Sequence, residues 1–417
     1  MQEVEIVYFH GGGFINGGGS FCIPPPGYSV LNVSSGTDLL FIYPNYRLNA
    51  FGLLLGSEIS SPETSDLNPG LLDQKAVLNW TKKYISAFGG DPNNVTIWGQ
   101  SAGAGSMVAQ VLANGSGEAS LFWRALANLP FWPKTFRFNS PEAQNMYDTF
   151  ATLIGCAANG SMTESLVCLK KADVKFFLNA SFAIPSSHTW NTSSFTWAPV
   201  IDGMFLKRAL SEVDVVDEVD IETGLGMYNT YEGISSASVL DSLNLRKIYL
   251  RCKKLGEDFI PLSLAFAQNS GDLPFDSSAS SFNGWLKGFL PGLSAQDIER
   301  VEALYPAIGS VDNAPTYNTS YTQAGLIYRD VAFACPSYWI AGAARNISYL
   351  GEYVVLPAKH SSDANLTGDP NKLKLTNATH FGVPELETEL EFVIRKSGLE
   401  SAGITQLKRR CESNDAW

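Results

Sequence analysis

The chain has 417 residues, 45% of them hydrophobic, and a net charge of −12 from 41 acidic and 29 basic side chains. That is enough apolar material for a large core, and an α/β sheet can run this long as a single domain, residues 1–417. An acidic surface repels phosphate backbones, which argues against nucleic acid as a partner, and no apolar run reaches the roughly 18 residues of a membrane helix, which argues against stable membrane insertion.

The first element in chain order is an apolar run with Val4, Ile6, Val7 and Tyr8, which reads as a buried strand. It runs into "FHGGGFINGGGS" (Phe9–Ser20), where half of the residues are glycine. Leu39–Tyr46 reads as a second strand. Pro69 opens a helix with Leu72, Ala76, Tyr84 and Phe88 near one face, and Gly89-Gly90 stops it. "NNVTIWG" is a short β-branched strand, followed by Gln100-Ser101-Ala102-Gly103 and the helical "SMVAQVLA". Strand and helix alternate, so the expected class is α/β with a mostly parallel sheet flanked by helices. Beyond Pro141 the chain turns helical and loop-rich. Trp197–Gly203 and Gly224–Gly233 are expected returns to the sheet. "RKIYLRCKK" (Arg246–Lys254) is a basic patch in an acidic chain, and its plain reading is a solvated helix face.

"GQSAG" (Gly99–Gly103) fits G-x-S-x-G with a strand before it and a helix after it, the context this motif requires. The tight turn holds its serine at strained dihedrals with the hydroxyl exposed, which makes Ser101 a candidate nucleophile. A serine attacking a carbonyl generates an oxyanion, and donors must already point at it. Bare glycine backbone supplies them: Gly12 and Gly13 in "HGGGF", with the helix-starting N–H of Ala102 as a third. The rival reading of the glycine loop, a phosphate cradle, lacks a GK[ST] ending and G-x-G-x-x-G spacing.

The serine needs a base, and there are four histidines. His10 belongs to the glycine loop, in a structural role. His188 sits in a Ser/Thr-rich loop with no cue. His360 in "VVLPAKHSSD" follows an apolar strand, at the carboxyl end where such sheets keep their chemistry. It also comes late in the chain, as this fold requires. His380 in "NATHFG" is the alternative. A carboxylate between serine and histidine must orient the imidazole. Glu232 in "MYNTYEG", after a short strand, is favoured over the run "EVDVVDEVDIE", which reads as a solvated acidic loop.

Two features point outside the cytosol. N-x-S/T sequons mark Asn32, Asn79, Asn94, Asn114, Asn159, Asn179, Asn191, Asn318, Asn346, Asn365 and Asn377 as glycosylation candidates. The cysteines, Cys22, Cys156, Cys168, Cys252, Cys335 and Cys411, lack metal-ligand spacing, so disulfides are more natural than a metal site. The start, Met-Gln-Glu-Val-Glu, has neither a basic nor an apolar leader region, so a secreted protein is expected to begin upstream of it.

At these residues the chain resembles the type-B carboxylesterase/lipase family, which includes cholinesterases, and is most similar to its secreted fungal members. "HGGGF", "YPNYRLNAFGLL", "NPGLLDQKAVLNWTKKYISAFGGDPNNVTIWGQSAGAGS", "PVIDG" and "NTYEG" carry the resemblance, in family order. It implies an α/β-hydrolase fold and carboxylic-ester hydrolysis of a small-molecule or lipid ester. It further implies a Ser101/Glu232/His360 triad, an oxyanion hole from Gly12, Gly13 and Ala102, and no cofactor. It suggests disulfides Cys156–Cys168 and Cys335–Cys411, and gives Arg47 and Asp73 structural roles. Three departures stand out. The usual N-terminal portion is lacking, residues 234–255 form an atypical insert directly after Glu232, and the segment after His360 is short. An inactive truncated fragment, or a non-catalytic binding protein on the same fold, is the alternative expectation. "WRALANLPFWPKTFRF" (Trp123–Phe138) lines an acyl pocket or belongs to ordinary core packing.

Overall fold

The computed structural model describes residues 4–19, 27, 30–31, 38–59, 65–113, 120–157, 162–187, 197–212, 221–233, 279–290, 292–309, 317–353, 360 and 395–396. Among these, one seven-stranded sheet forms the centre. Its strands are β1 (Val4–Phe9), β2 (Leu39–Ile42), β3 (Val95–Gln100), β4 (Arg124–Asn128), β5 (Ile221–Asn229), β6 (Ala344–Tyr353) and β7 (Arg395–Lys396), in the order β2-β1-β3-β4-β5-β6-β7. The first six pair in parallel, and β7 runs antiparallel to β6.

Parallel neighbours need crossovers, and helices supply them. Short α1 (Asn49–Leu53) and α2 (Pro69–Tyr84) lie between β2 and β3, and α3 (Ala102–Ala113) between β3 and β4. Three helices, α4 (Pro141–Ile154), α5 (Met162–Lys171) and α6 (Val174–Ser187), lie between β4 and β5. Before β6 come α7 (Ala279–Phe289), α8 (Ala295–Leu304), α9 (Ser320–Arg329), a π-helical turn (Asp330–Ala334) and α10 (Cys335–Gly342).

Alternate residues of β1 and β3 feed opposite faces, as the pleat dictates. Val7, Phe9, Val95 and Ile97 pack with α3 and α10, whereas Ile6, Tyr8 and Trp98 cluster on the other side. Helix α3 is buried from Ala102 through Val111, which its run of small and apolar residues allows. A second apolar cluster joins Phe14 and Phe131 to α4, α6, α7 and α9, beside the carboxyl ends of the strands.

The chain leaves β1 toward β2 on one side and returns as β3 on the other. The crevice between the carboxyl ends of β1 and β3 is therefore a topological switch point, where open α/β sheets bind ligands. The glycine loop leaves β1 there, and Ser101 follows β3.

The second strand stops at Ile42, short of the expected Tyr46, and Pro44 has no N–H to donate to a ladder. Trp197–Gly203 does not return to the sheet. It makes one isolated bridge, Arg137 with Ile201. Asn68 takes both backbone groups of Val200, accepting from its N–H at 2.8 Å and donating to its carbonyl at 2.9 Å. Asp202 Oδ1 accepts from the N–H groups of Met204, Phe205 and Leu206. Those side chains satisfy backbone that a strand would have paired. The basic patch 246–254 and the insert 234–255 lie outside the described residues.

Candidate active site

Ser101 begins the turn from β3 into α3 with φ of 58°, a left-handed conformation unusual for a residue with a Cβ. Its N–H donates to the Asn128 carbonyl at 2.9 Å, and its own carbonyl accepts from Gly105 at 2.9 Å and Phe131 at 3.0 Å. Three backbone bonds hold the strained residue in place, which offsets a local cost of about 1–3 kcal/mol. The turn needs its flanking glycines. A Cβ at Gly99 would meet the Gly103 backbone, and one at Gly103 would enter the Phe9 carbonyl of β1.

His360 Nε2 lies 2.7 Å from Ser101 Oγ, and its Nδ1 lies 3.3 Å from Glu232 Oε1. With the proton on Nδ1, the ring donates to the carboxylate and accepts from the serine hydroxyl. Glu232 is fully buried, and the His360 side chain is 23% exposed. Glu232 sits three residues past β5, and His360 seven past β6. These strands end in register, Asn229 opposite Tyr353, and Thr230 N–H donates to the Tyr353 carbonyl at 3.1 Å. His188 and His380 lie outside the described residues.

The glycine loop runs beside the serine. A Cβ at Gly11 would stand 2.9 Å from the Gln100 carbonyl and 3.1 Å from the Ser101 Cβ, so glycine lets β1's exit pass close to the elbow. Gly12 (φ 121°) and Gly13 (φ 64°) continue in positive-φ backbone. The N–H groups of Ile15 and Asn16 both donate to the Gly12 carbonyl at 3.1 Å, closing a turn in the loop. Among the described residues, none accepts a hydrogen bond from the N–H of Gly12, Gly13 or Ala102. His10 is buried, stacked on Tyr46 at 4.3 Å, with Nδ1 bonded to the Gly11 carbonyl. Burial pushes its pKa down against that bond, which suits a neutral structural ring.

Several supporting residues carried no sequence cue of their own. Tyr46 OH donates to the His10 carbonyl, Asn45 Oδ1 accepts from Gly19, and Asn49 N–H donates to the Phe14 carbonyl. Thus "PNYRLNAFG" braces the glycine loop. Phe131, from the aromatic stretch Trp123–Phe138, is buried against Phe14 at 6.3 Å and Phe333 at 5.5 Å. Phe333 in turn lies 4.9 Å from the His360 ring. An aromatic row at such distances carries no periodicity in sequence, so only the packed chain reveals it.

Arg47 grips Asp73 through Nε and Nη2, each at 2.8 Å, on the surface. Cys156 and Cys168 form a disulfide between the end of α4 and α5. Cys335 is disulfide-bonded too, while Cys411 lies outside the described residues. Of the sequon asparagines, Asn79, Asn179, Asn318 and Asn346 are exposed. Asn94, by contrast, is 9% exposed, and its Oδ1 accepts from Arg124 at 2.6 Å. Asn32, Asn114, Asn159, Asn191, Asn365 and Asn377 lie outside the described residues. No group of three metal-ligating side chains occurs among the described residues, and no helix there is long and apolar enough to cross a membrane.

The sequence profile described as the carboxylesterase family matches residues 4–397. The chain belongs to the carboxylesterase family. Carboxylesterase patB of Penicillium expansum is 27% identical over 367 residues, which is 86% of this chain and 56% of patB. A secreted triacylglycerol lipase, LIP1 of Gibberella zeae, is 35% identical over 211 residues, covering 49% of this chain and 34% of LIP1. This carboxylesterase-family chain therefore spans about half the length of the curated relatives it matches. The crystal structure of Aspergillus niger EstA superposes with a TM-score of 0.65 at 22% identity, over 88% of this chain and 66% of EstA. That likeness shows the α/β-hydrolase fold.

Proposed function

We propose that this protein is a carboxylic-ester hydrolase working through Ser101, His360 and Glu232 and an acyl-enzyme intermediate. The observation that carries the reading is the strained Ser101 with its Oγ 2.7 Å from His360 Nε2. In acylation, Nε2 takes the hydroxyl proton as Oγ bonds to the ester carbonyl carbon. Negative charge moves to the carbonyl oxygen, within reach of donors on Gly12, Gly13 and Ala102. Collapse breaks the bond to the alcohol, which leaves with the proton from Nε2. Water then gives a proton to Nε2, attacks the acyl carbon and releases the acid, and Oγ recovers its proton. Glu232 stabilises the imidazolium in both halves.

Secretion fits the reading. The disulfide and the exposed sequon asparagines Asn79, Asn179, Asn318 and Asn346 suit an oxidising compartment, and several relatives are named as secreted lipases. The substrate class is a small-molecule or lipid carboxylic ester.

The test is labelling with a fluorophosphonate probe and peptide mapping. Stoichiometric label on Ser101, lost in His360→Ala, is the expected result. A folded, monodisperse protein that leaves Ser101 unlabelled overturns the proposal.

A further inference from the structure

The acid and the base depart from two adjacent strand ends, and one buried cation touches both. Arg329, at the end of α9, is 6% exposed. Its Nη1 donates to the Thr230 carbonyl at 3.3 Å, two residues before Glu232, and lies 3.7 Å from Glu352 Oε1 near the end of β6. Thr230 Oγ1 donates to that same Glu352 oxygen at 2.9 Å, and Tyr228 OH donates to Oε2 at 3.3 Å. The guanidinium also lies over the Tyr228 ring at 5.4 Å.

The next residue holds the arginine. Asp330 is fully buried, and Oδ1 accepts from Arg329 Nε at 2.8 Å and Nη2 at 2.7 Å. Its Oδ2 accepts from Tyr305 OH at 2.9 Å. Burial works against the arginine's charge, and the surrounding acids more than offset it, so the guanidinium stays protonated. Gly233, directly after the acid, is packed so close that a Cβ would stand 2.8 Å from the Arg329 backbone nitrogen.

Asp330 starts the π-helical turn, where the Cys335 N–H reaches back to the Asp330 carbonyl. Three residues on, Phe333 packs its ring on His360 at 4.9 Å. One five-residue segment thus touches both strand ends and the imidazole. A chain needing only a stable core has little use for a desolvated arginine here, since ion pairs in cores replace well with apolar packing. Precise placement of two groups carried on separate loops is what such a device supplies.

We propose that Arg329 is a positioning residue for the Glu232–His360 pair, clamping the ends of β5 and β6 from which the two groups depart while Phe333 backs the imidazole. The inference rests on the triad reading above and deepens it.

The test is a double-substitution cycle in the full chain. Arg329→Lys keeps the charge but loses the fork. In protein that still folds, it should lower kcat for a simple acyl ester by about 10- to 100-fold, with KM within about twofold. The same substitution in a Glu232→Gln background should cost less than about twofold more, because residues acting as one unit are not additive. A purely structural role predicts equal losses in both backgrounds, and that result, or full kcat in folded Arg329→Lys, overturns the proposal. Glu352→Gln, at a half-exposed side chain, repeats the cycle should the arginine variant fail to fold. Crystal structures read the geometry without turnover. The His360 Nδ1 to Glu232 Oε1 separation should open beyond hydrogen-bond range in whichever of the two variants folds, and an unchanged separation there overturns the clamp. A parent protein without ester hydrolysis, in which that separation still opens, counts against the hydrolase reading alone.

Discussion

Ser101 Oγ and His360 Nε2 stand 2.7 Å apart although 259 positions separate them in the chain. The contact exists because β3 and β6 are parallel members of one sheet, so the loops that follow them open on the same edge. Two strands, β4 and β5, lie between them.

Breaking that relay has a defined cost. Glu232→Gln keeps the shape but removes the charge that stabilises the imidazolium. It should lower kcat by about 10,000-fold, less than Ser101→Ala does, and the double variant should be no worse than Ser101→Ala. Steady-state kinetics on a chromogenic ester checks it. A Glu232→Gln protein within tenfold of the parent would remove Glu232 from the triad.

Gly12→Ala should separate catalysis from folding. The backbone there has φ of 121°, and a Cβ would run into the Asn16 carbonyl. The loop must shift, and a displaced donor typically costs about 100- to 1000-fold in kcat. The thermal midpoint should move by only a few degrees. Parental kcat in folded Gly12→Ala would show that the oxyanion is held elsewhere.

Lys134 gives a pH signature. Burial pushes its ammonium down from 10.5 to about 8. Below about 8 both folded and unfolded chains carry the proton, and the fold bears the full cost of burying it. Between about 8 and 10.5 the unfolded chain binds more protons than the native one, so stability rises with pH across that window. The shift corresponds to about 3 kcal/mol. Lys134→Met should raise stability at pH 7 by up to that amount and flatten the alkaline rise. Urea midpoints measured from pH 7 to 10.5 decide it. Identical slopes in parent and variant refute the assignment.

The Cys156–Cys168 bridge closes a short loop, a separation of 12, against the main apolar cluster. Replacing both cysteines by serine should cost about 2–4 kcal/mol of unfolding free energy and leave kcat unchanged, since the bridge joins the end of α4 to α5 and takes no part in the contacts among Ser101, His360 and Glu232. Denaturant titration with parallel kinetics tests both halves. A matching loss of kcat would mean that α4 and α5 help shape the site.

Near Ser101 the sequence was highly legible. A glycine two residues either side of the serine is a steric requirement, so the motif encodes its own geometry. The helix from Pro69 and its stop at Gly89 were plain, but its face was not: Ala76, Tyr84 and Phe88 are exposed, and Leu71, Gln74, Leu78 and Thr81 are the buried positions. Trp197–Gly203 misled because its apolar pattern suits a strand, while the Asn68 side chain 132 positions away took over its backbone bonds. The sequon at Asn94 is likewise local, and it carried no sign of the hydrogen bond from Arg124, 30 residues on.

The sequence by itself determined the local chemistry: the strained serine turn, the bare glycine loop, the candidate acid and base, and the α/β alternation. All follow from steric and periodic rules acting within a few residues. Tertiary structure alone decided that His360 meets Ser101, that Phe131 and Phe333 form one aromatic row, and that Arg329 touches both strand ends. These are contacts between distant segments, fixed by strand order and register, and no short-range pattern records them.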